Sequence, residues 1–287
     1  MNQLYNKVEQ VNTLLEGLVW LAGRKIQLIE LQRLVDSHDV PEETLVLILN
    51  GLTAGRSWEA LARESYVAEL NFMKLASKSL KNGDGMLDSP DKKVHEFLRH
   101  NLFYQGCFPF FEYWVNNLST PLSDIPKPSP LEELELNKGD YFYLLMNRES
   151  ILHLMILPAL EIAGEKFRQL SGFEDLLRLR VASLLYHREY GHLPKTINDL
   201  VPKYLSKVPR DVYSGEEIIY DGENARFYFC GPDLKDDKGQ FTKKLMQQLN
   251  YEGDIVQYIF VQEQEVEEIK EKTSPISKFS KARLNRK

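Results

Sequence analysis

Three carboxylates, Asp233, Asp236 and Asp237, fall within five residues of the stretch Gly231-Pro232-Asp233-Leu234-Lys235-Asp236-Asp237-Lys238-Gly239-Gln240. Held that close they repel one another, and a hard cation taking oxygen ligands relieves the repulsion, so the chemistry suggested is calcium binding. A polar surface turn has the same composition, because Asp and Gly are common turn residues. Other motifs fall short. His187 and His192 are five apart with Gly191 between them, whereas a helical zinc pair needs one turn on one face. Asn82, Asp84 and Gly85 superficially resemble an EF-hand loop, but aligning Gly85 with that loop's glycine puts Leu80 at the first ligand position. Cys107 and Cys230 lack metal-ligand spacing. The sequence has no Gly-x-Ser-x-Gly, Walker or dinucleotide glycine pattern.

The elements that must position the aspartate loop lie just before it. A helix over Phe173 to Tyr190 puts Phe173, Leu176, Leu177, Val181, Leu184 and Leu185 on one side, and turns Arg178, His187, Arg188 and Glu189 away. Gly191 supplies the residue past its end and Pro194 forbids continuation. Thr196 to Asp199 has capping-box spacing, which predicts a short helix from Ile197 that stops before Pro202. Pro209, Asp211, Ser214 and Gly215 mark turns. Two strands, Glu217 to Tyr220 and Ala225 to Cys230, then flank Asp221-Gly222 as a hairpin.

Upstream the pattern is helical throughout. Apolar residues recur with a helical period from Leu4 to Leu34, Pro41 opens a shorter helix ended by Gly51, and Ser57 caps another running to about Leu80. Val94 to Leu118 is helical and aromatic, Thr120 to Pro130 is a proline-stiffened connection, and helix resumes near Leu131 toward Pro158, where a kink is expected. From Glu265 the sequence turns acidic and then basic with few apolar anchors, as an exposed helix end and tail.

With 287 residues and 43% hydrophobic content, the chain has enough apolar residues for a sizeable core. A net charge of -6 argues against a general nucleic-acid binder, which needs a basic stripe to neutralise phosphates. The N-terminus lacks the basic and apolar regions of a signal peptide, and the run Leu18 to Ala22 is far short of a membrane span.

At these residues the chain resembles the C-terminal globular module of the major pseudopilin of type II secretion systems. The family's Tyr-x4-Gly-x-x-Pro helix end is met by Tyr186, Gly191 and Pro194, and its Pro-x-Asp-x-x-x-Gly step by Pro209, Asp211 and Gly215. Its Tyr before the hairpin is met by Tyr220, its Gly-x-Asp loop by Gly231 and Asp233, and its downstream Asp-Ile pair by Asp254 and Ile255. The resemblance implies calcium held among Asp233, Asp236, Asp237 and Asp254. The family's processed leader and apolar polymerising helix do not occur in this sequence. As a whole the chain is similar to bacterial proteins in which a helical region precedes this module, some with a membrane segment in front, a resemblance that names no activity.

The expected fold is therefore α+β: an all-helical domain over 1–165, a pseudopilin-like helix plus antiparallel hairpin over 166–262, and an exposed helix end and tail over 263–287. The expected function is a non-enzymatic structural or interaction protein. Its helical domain would serve partner binding or self-association, its second module would be stapled by Ca2+, and the resemblance suggests a tie to a cell-envelope or secretion assembly. A hydrolase with a site among the aromatic residues from Phe97 to Trp114 is the alternative.

Overall fold

The computed structural model describes residues 13–37, 40–54, 57–82, 108–127, 150–240 and 253–260. The expectations for Leu4 to Asn12, the loop around Asp84, Phe97 to Cys107, the helix resuming at Leu131 and the tail from Glu265 lie outside them. Among the described residues five α-helices come first: α1 Leu14–Asp36, α2 Glu42–Thr53, α3 Trp58–Asn82, α4 Phe108–Asn117 and α5 Ser150–Tyr190. Strands β1 Ile219–Asp221, β2 Arg226–Phe229 and β3 Ile255–Tyr258 follow, paired antiparallel in the order β1-β2-β3. The class is α+β, with the helical region first.

Local chemistry accounts for most of the element ends. Thr13 caps α1, its side-chain oxygen accepting the Glu16 amide. Helix α2 runs past Gly51 to Thr53, because Leu52 is buried beyond it and the packing outweighs glycine's modest cost. Gly191 takes φ +75 and its amide closes on His187 O at 2.8 Å, ending α5 in the left-handed conformation that glycine adopts without strain. Thr196 and Asp199 form the expected capping box around a 3-10 turn, Ile197–Leu200.

Helix α5 is the axis of the molecule. It spans 41 residues, about 60 Å at the helical rise, and is unbroken through Pro158 and through the expected division at residue 165. It packs against α1, α2 and α3 as well as β2 and β3, and a single hydrophobic core extends from Leu14 to Ile259. From Leu176 to Leu185 nearly every side is covered, with Leu176, Leu177, Leu179, Arg180, Val181, Ala182, Ser183 and Leu185 all buried. A helix enclosed in this way belongs to the interior.

Buried ionic groups attach the neighbours to α5. The Glu174 carboxylate accepts from Arg24 of α1 at 2.8 and 3.3 Å and from the Trp58 indole of α3 at 2.8 Å. Arg178 approaches Glu174 at 3.6 Å, pairs with Asp175, and donates to Leu52 O at the end of α2. Arg180 donates to Ile259 O at 3.1 Å and pairs with Asp36 at 2.6 Å. Arg168 donates to Thr120 O and Val212 O at 2.7 and 3.0 Å, fixing two loops. None of these pairings follows from the helical period, which places charges on outer faces.

The sheet approaches α5 at Gly172, where an added Cβ would lie 2.6 Å from Phe229 Cζ and 3.0 Å from Val212 Cγ2. Gly172→Ala therefore overpacks this contact, and should lower stability by about 1 to 3 kcal/mol in denaturant unfolding. Combined with Phe229→Leu, its cost should be well below the sum of the two single losses.

Asp175 yields a pH signature. Burial raises its carboxyl to about 6, with Arg178 opposing and Glu174 reinforcing. A raised folded value means its stabilising share is complete below the unfolded carboxyl range and is lost as pH rises through about 6. Asp175→Asn should be more stable than the parent chain at pH 8 by about 1 to 2 kcal/mol, and the gap should close as pH falls toward 4. Melting temperatures across that range check it.

Candidate cation site

The aspartate loop hangs from the hairpin by a guanidinium. Asp221 accepts the Asn224 amide and Arg226 Nε across the β1-β2 turn, which orients Arg226 to donate to Gly239 O at 2.9 Å and Lys238 O at 3.1 Å. Gly239 has φ +70, and a Cβ there would lie 2.7 Å from Arg226 Cζ, so this brace needs glycine. Within the loop, Asp233 Oδ1 accepts the Lys235 amide at 3.3 Å and Asp236 Oδ1 accepts the Lys238 amide at 2.8 Å. Leu234 and Lys238 take left-handed φ values of 57 and 56.

Asp254 meets the loop at Gly239, immediately before β3. It is 0% exposed, its Oδ2 accepts the Gly239 amide at 2.7 Å, and its Oδ1 is buried without a hydrogen-bond partner. Burial raises its carboxyl above the usual range; the amides of Gly239 and Asp237 oppose this, and the charges of Asp236 and Asp237 add to it. Asp237 Oδ2 would lie 3.6 Å from a Cβ at Gly253, so this carboxylate lies beside the chain entering Asp254. Cys230 has its thiol pushed up to about 11, first by burial and then by Asp211, Asp254 and Asp236.

Of the four ligands expected, Asp236, Asp237 and Asp254 thus share one neighbourhood, while Asp233 is engaged at the loop's start. Among the described residues no three His, Cys, Asp or Glu side chains converge as a ready-made metal cage. The buried, unpartnered Oδ1 of Asp254 nevertheless fits a cation, because an unpaired buried carboxylate oxygen is costly and a bound ion would satisfy it. Calcium suits such a set better than magnesium, since it accepts irregular oxygen ligation with carbonyls and waters completing the shell.

Sequence reasoning undervalued Asp211. Asp211 and Tyr213 are buried, with the Asp211 carboxylate accepting from the Tyr213 amide and the Ser214 hydroxyl, and Gly215 following at φ +74. Its Pro-x-Asp-x-x-x-Gly spacing is the signal for that buried role. Tyr220 donates to Pro194 O at 2.8 Å, tying the helix stop to the hairpin. His187 packs on Phe260, while His192 is exposed beyond the helix end. In the aromatic region, Phe111 and Trp114 pack against Tyr66, whose hydroxyl donates to Leu160 O, so these rings serve the core.

Comparison of the chain with family models, curated proteins and solved structures yields no match. Among the described residues no helix is long and apolar enough to cross a membrane.

Asp254→Asn keeps an acceptor for Gly239 and removes the buried charge. Because the folded carboxyl is raised, the parent chain loses stability as pH climbs through that value. In chelator at pH 8 the variant should therefore melt higher than the parent chain, and the difference should vanish near pH 4.

Proposed function

We propose that this chain is a non-enzymatic structural and interaction protein whose C-terminal module is pseudopilin-like and closed by calcium. Asp254 and Asp237 are the inner ligands, and Asp236 and Asp233 lie on the loop that folds over the ion. The observation that carries this reading is Asp254 Oδ1, a buried carboxylate oxygen without a hydrogen-bond partner, on a side chain that feels the charges of Asp236 and Asp237. In this reading the ion supplies charge neutralisation and a crosslink between the loop and the start of β3. The order Tyr186, Gly191, Pro194, Asp211, Gly215 and Tyr220 supports the pseudopilin-like assignment, since these residues build one connected substructure of helix stop, buried turn and hairpin.

The interaction role is supported by α1, which is buried on one side and carries Leu15, Val19 and Ile26 on the other at 71, 66 and 64% exposure. Exposed apolar surface of this kind marks contact with another protein. A cell-envelope or secretion assembly is the setting that the pseudopilin resemblance implies.

Calcium at several millimolar should raise the melting temperature, with a stabilisation of about 1 to 2 kcal/mol for a dissociation constant of roughly 10⁻⁴ to 10⁻³ M. Magnesium should do much less. Asp254→Ala should abolish the response and Asp237→Ala should weaken it. Identical melting of the parent chain in calcium and in chelator would reduce the loop to a braced surface turn.

A further inference from the structure

The chain between the cation site and the helical region is short: Asp254, Gln257 and Ile259 are buried, and Ile255, Val256 and Tyr258 between them are half-buried. Asp254 leads directly into β3, whose four residues pair with β2 in the register Phe229↔Ile255 to Arg226↔Tyr258. The next residue, Ile259, is 0% exposed; its amide donates to Ala225 O at 2.8 Å and its carbonyl accepts from Arg180 Nε at 3.1 Å. Arg180 is 2% exposed and its other arm holds Asp36 at 2.6 Å. Asp36 is the last residue of α1, where the negative end of the helix dipole disfavours a carboxylate and the guanidinium offsets it. One buried side chain therefore registers the end of the sheet against the end of α1. A shift of β3 moves Ile259 O, and Arg180 has to follow it or leave Asp36.

We propose that occupancy of the Asp254 site is coupled to the seating of the last turn of α1, through β3, Ile259 O and the Arg180–Asp36 pair. The coupling rests on the calcium reading above and extends it: the ion fixes where β3 starts, Arg180 relays where it ends, and α1 tightens. Coupling between two sites is reciprocal, so weakening the α1 end must weaken calcium.

The test uses the full chain, with calcium affinity measured by calorimetry and amide exchange followed at Leu34, Val35 and Asp36 in calcium and in chelator. Calcium should slow exchange at those amides by threefold or more, and Asp36→Asn should weaken calcium about fivefold, the lower end of typical coupling. Two controls separate coupling from general loosening. Glu30→Gln removes an exposed pair with Arg33 on the same helix, and Leu28→Ala weakens the buried face of α1 two turns before Asp36 while leaving the Arg180–Asp36 pair in place; both should leave calcium affinity unchanged. Calcium binding by the parent chain with unaltered affinity in Asp36→Asn overturns the coupling alone. A loss of affinity in Leu28→Ala equal to that in Asp36→Asn overturns it too, since destabilisation of α1 would then explain both. A parent chain that binds no calcium overturns the calcium reading and the coupling together.

Discussion

A single carboxylate decides how the helices assemble. Glu174 is buried on α5 and receives Arg24 from α1 and the Trp58 indole from α3. Arg178, one turn on, completes the set and reaches the carbonyl end of α2. Apolar burial drives these helices onto α5 but does not choose among nearby rotations, because dispersion and hydration are nearly indifferent to direction. The carboxylate is not indifferent. With Arg24 displaced, the buried carboxylate would lose its closest counter-charge, at a cost of several kcal/mol.

The same arrangement recurs farther along α5, where the targets become carbonyls. Arg168 holds Thr120 O and Val212 O, and Arg180 holds Ile259 O. Each of these carbonyls lies outside a helix or sheet ladder and would otherwise be unsatisfied on packing against α5. Guanidinium groups suit this task because several fixed donors extend from one apolar stem. Helix α5 thus turns Arg168 and Arg180 inward, and each ties down a segment with little regular structure of its own.

The aspartate loop depends on this framework at one remove. Its position follows from β2 through Arg226 and from β3 through Asp254, and both strands rest on α5. The four acids of the proposed site come from two segments, and only Asp254 is sealed from water with an oxygen left over. A site of this form is adjustable. Asp233 and Asp236 accept amides of their own loop, and those bonds are exchangeable for an ion, whereas Asp254 Oδ1 has no hydrogen bond to give up.

Much of the C-terminal module was legible in the sequence because its signals are local. Gly191 needs a left-handed residue, Thr196 and Asp199 satisfy each other's amides three residues apart, and Asp221-Gly222 turns a hairpin. The clustered Asp233, Asp236 and Asp237 were visible for the same reason, as was the helical character of α1, α2 and α3. Helix α5 was read too short, because its apolar residues cover several faces in succession and no single period describes a helix buried all round. Strand β3 was missed, since a four-residue strand exists only where β2 offers its edge. The sequence by itself determined the turns, caps and acidic loop, whose energetics close within a few residues. Tertiary structure alone decided that Glu174 and Arg180 are interior and that Asp254 faces the loop. Those outcomes join residues 24 with 174, 36 with 180 and 239 with 254, and no local spacing encodes which buried charge meets which.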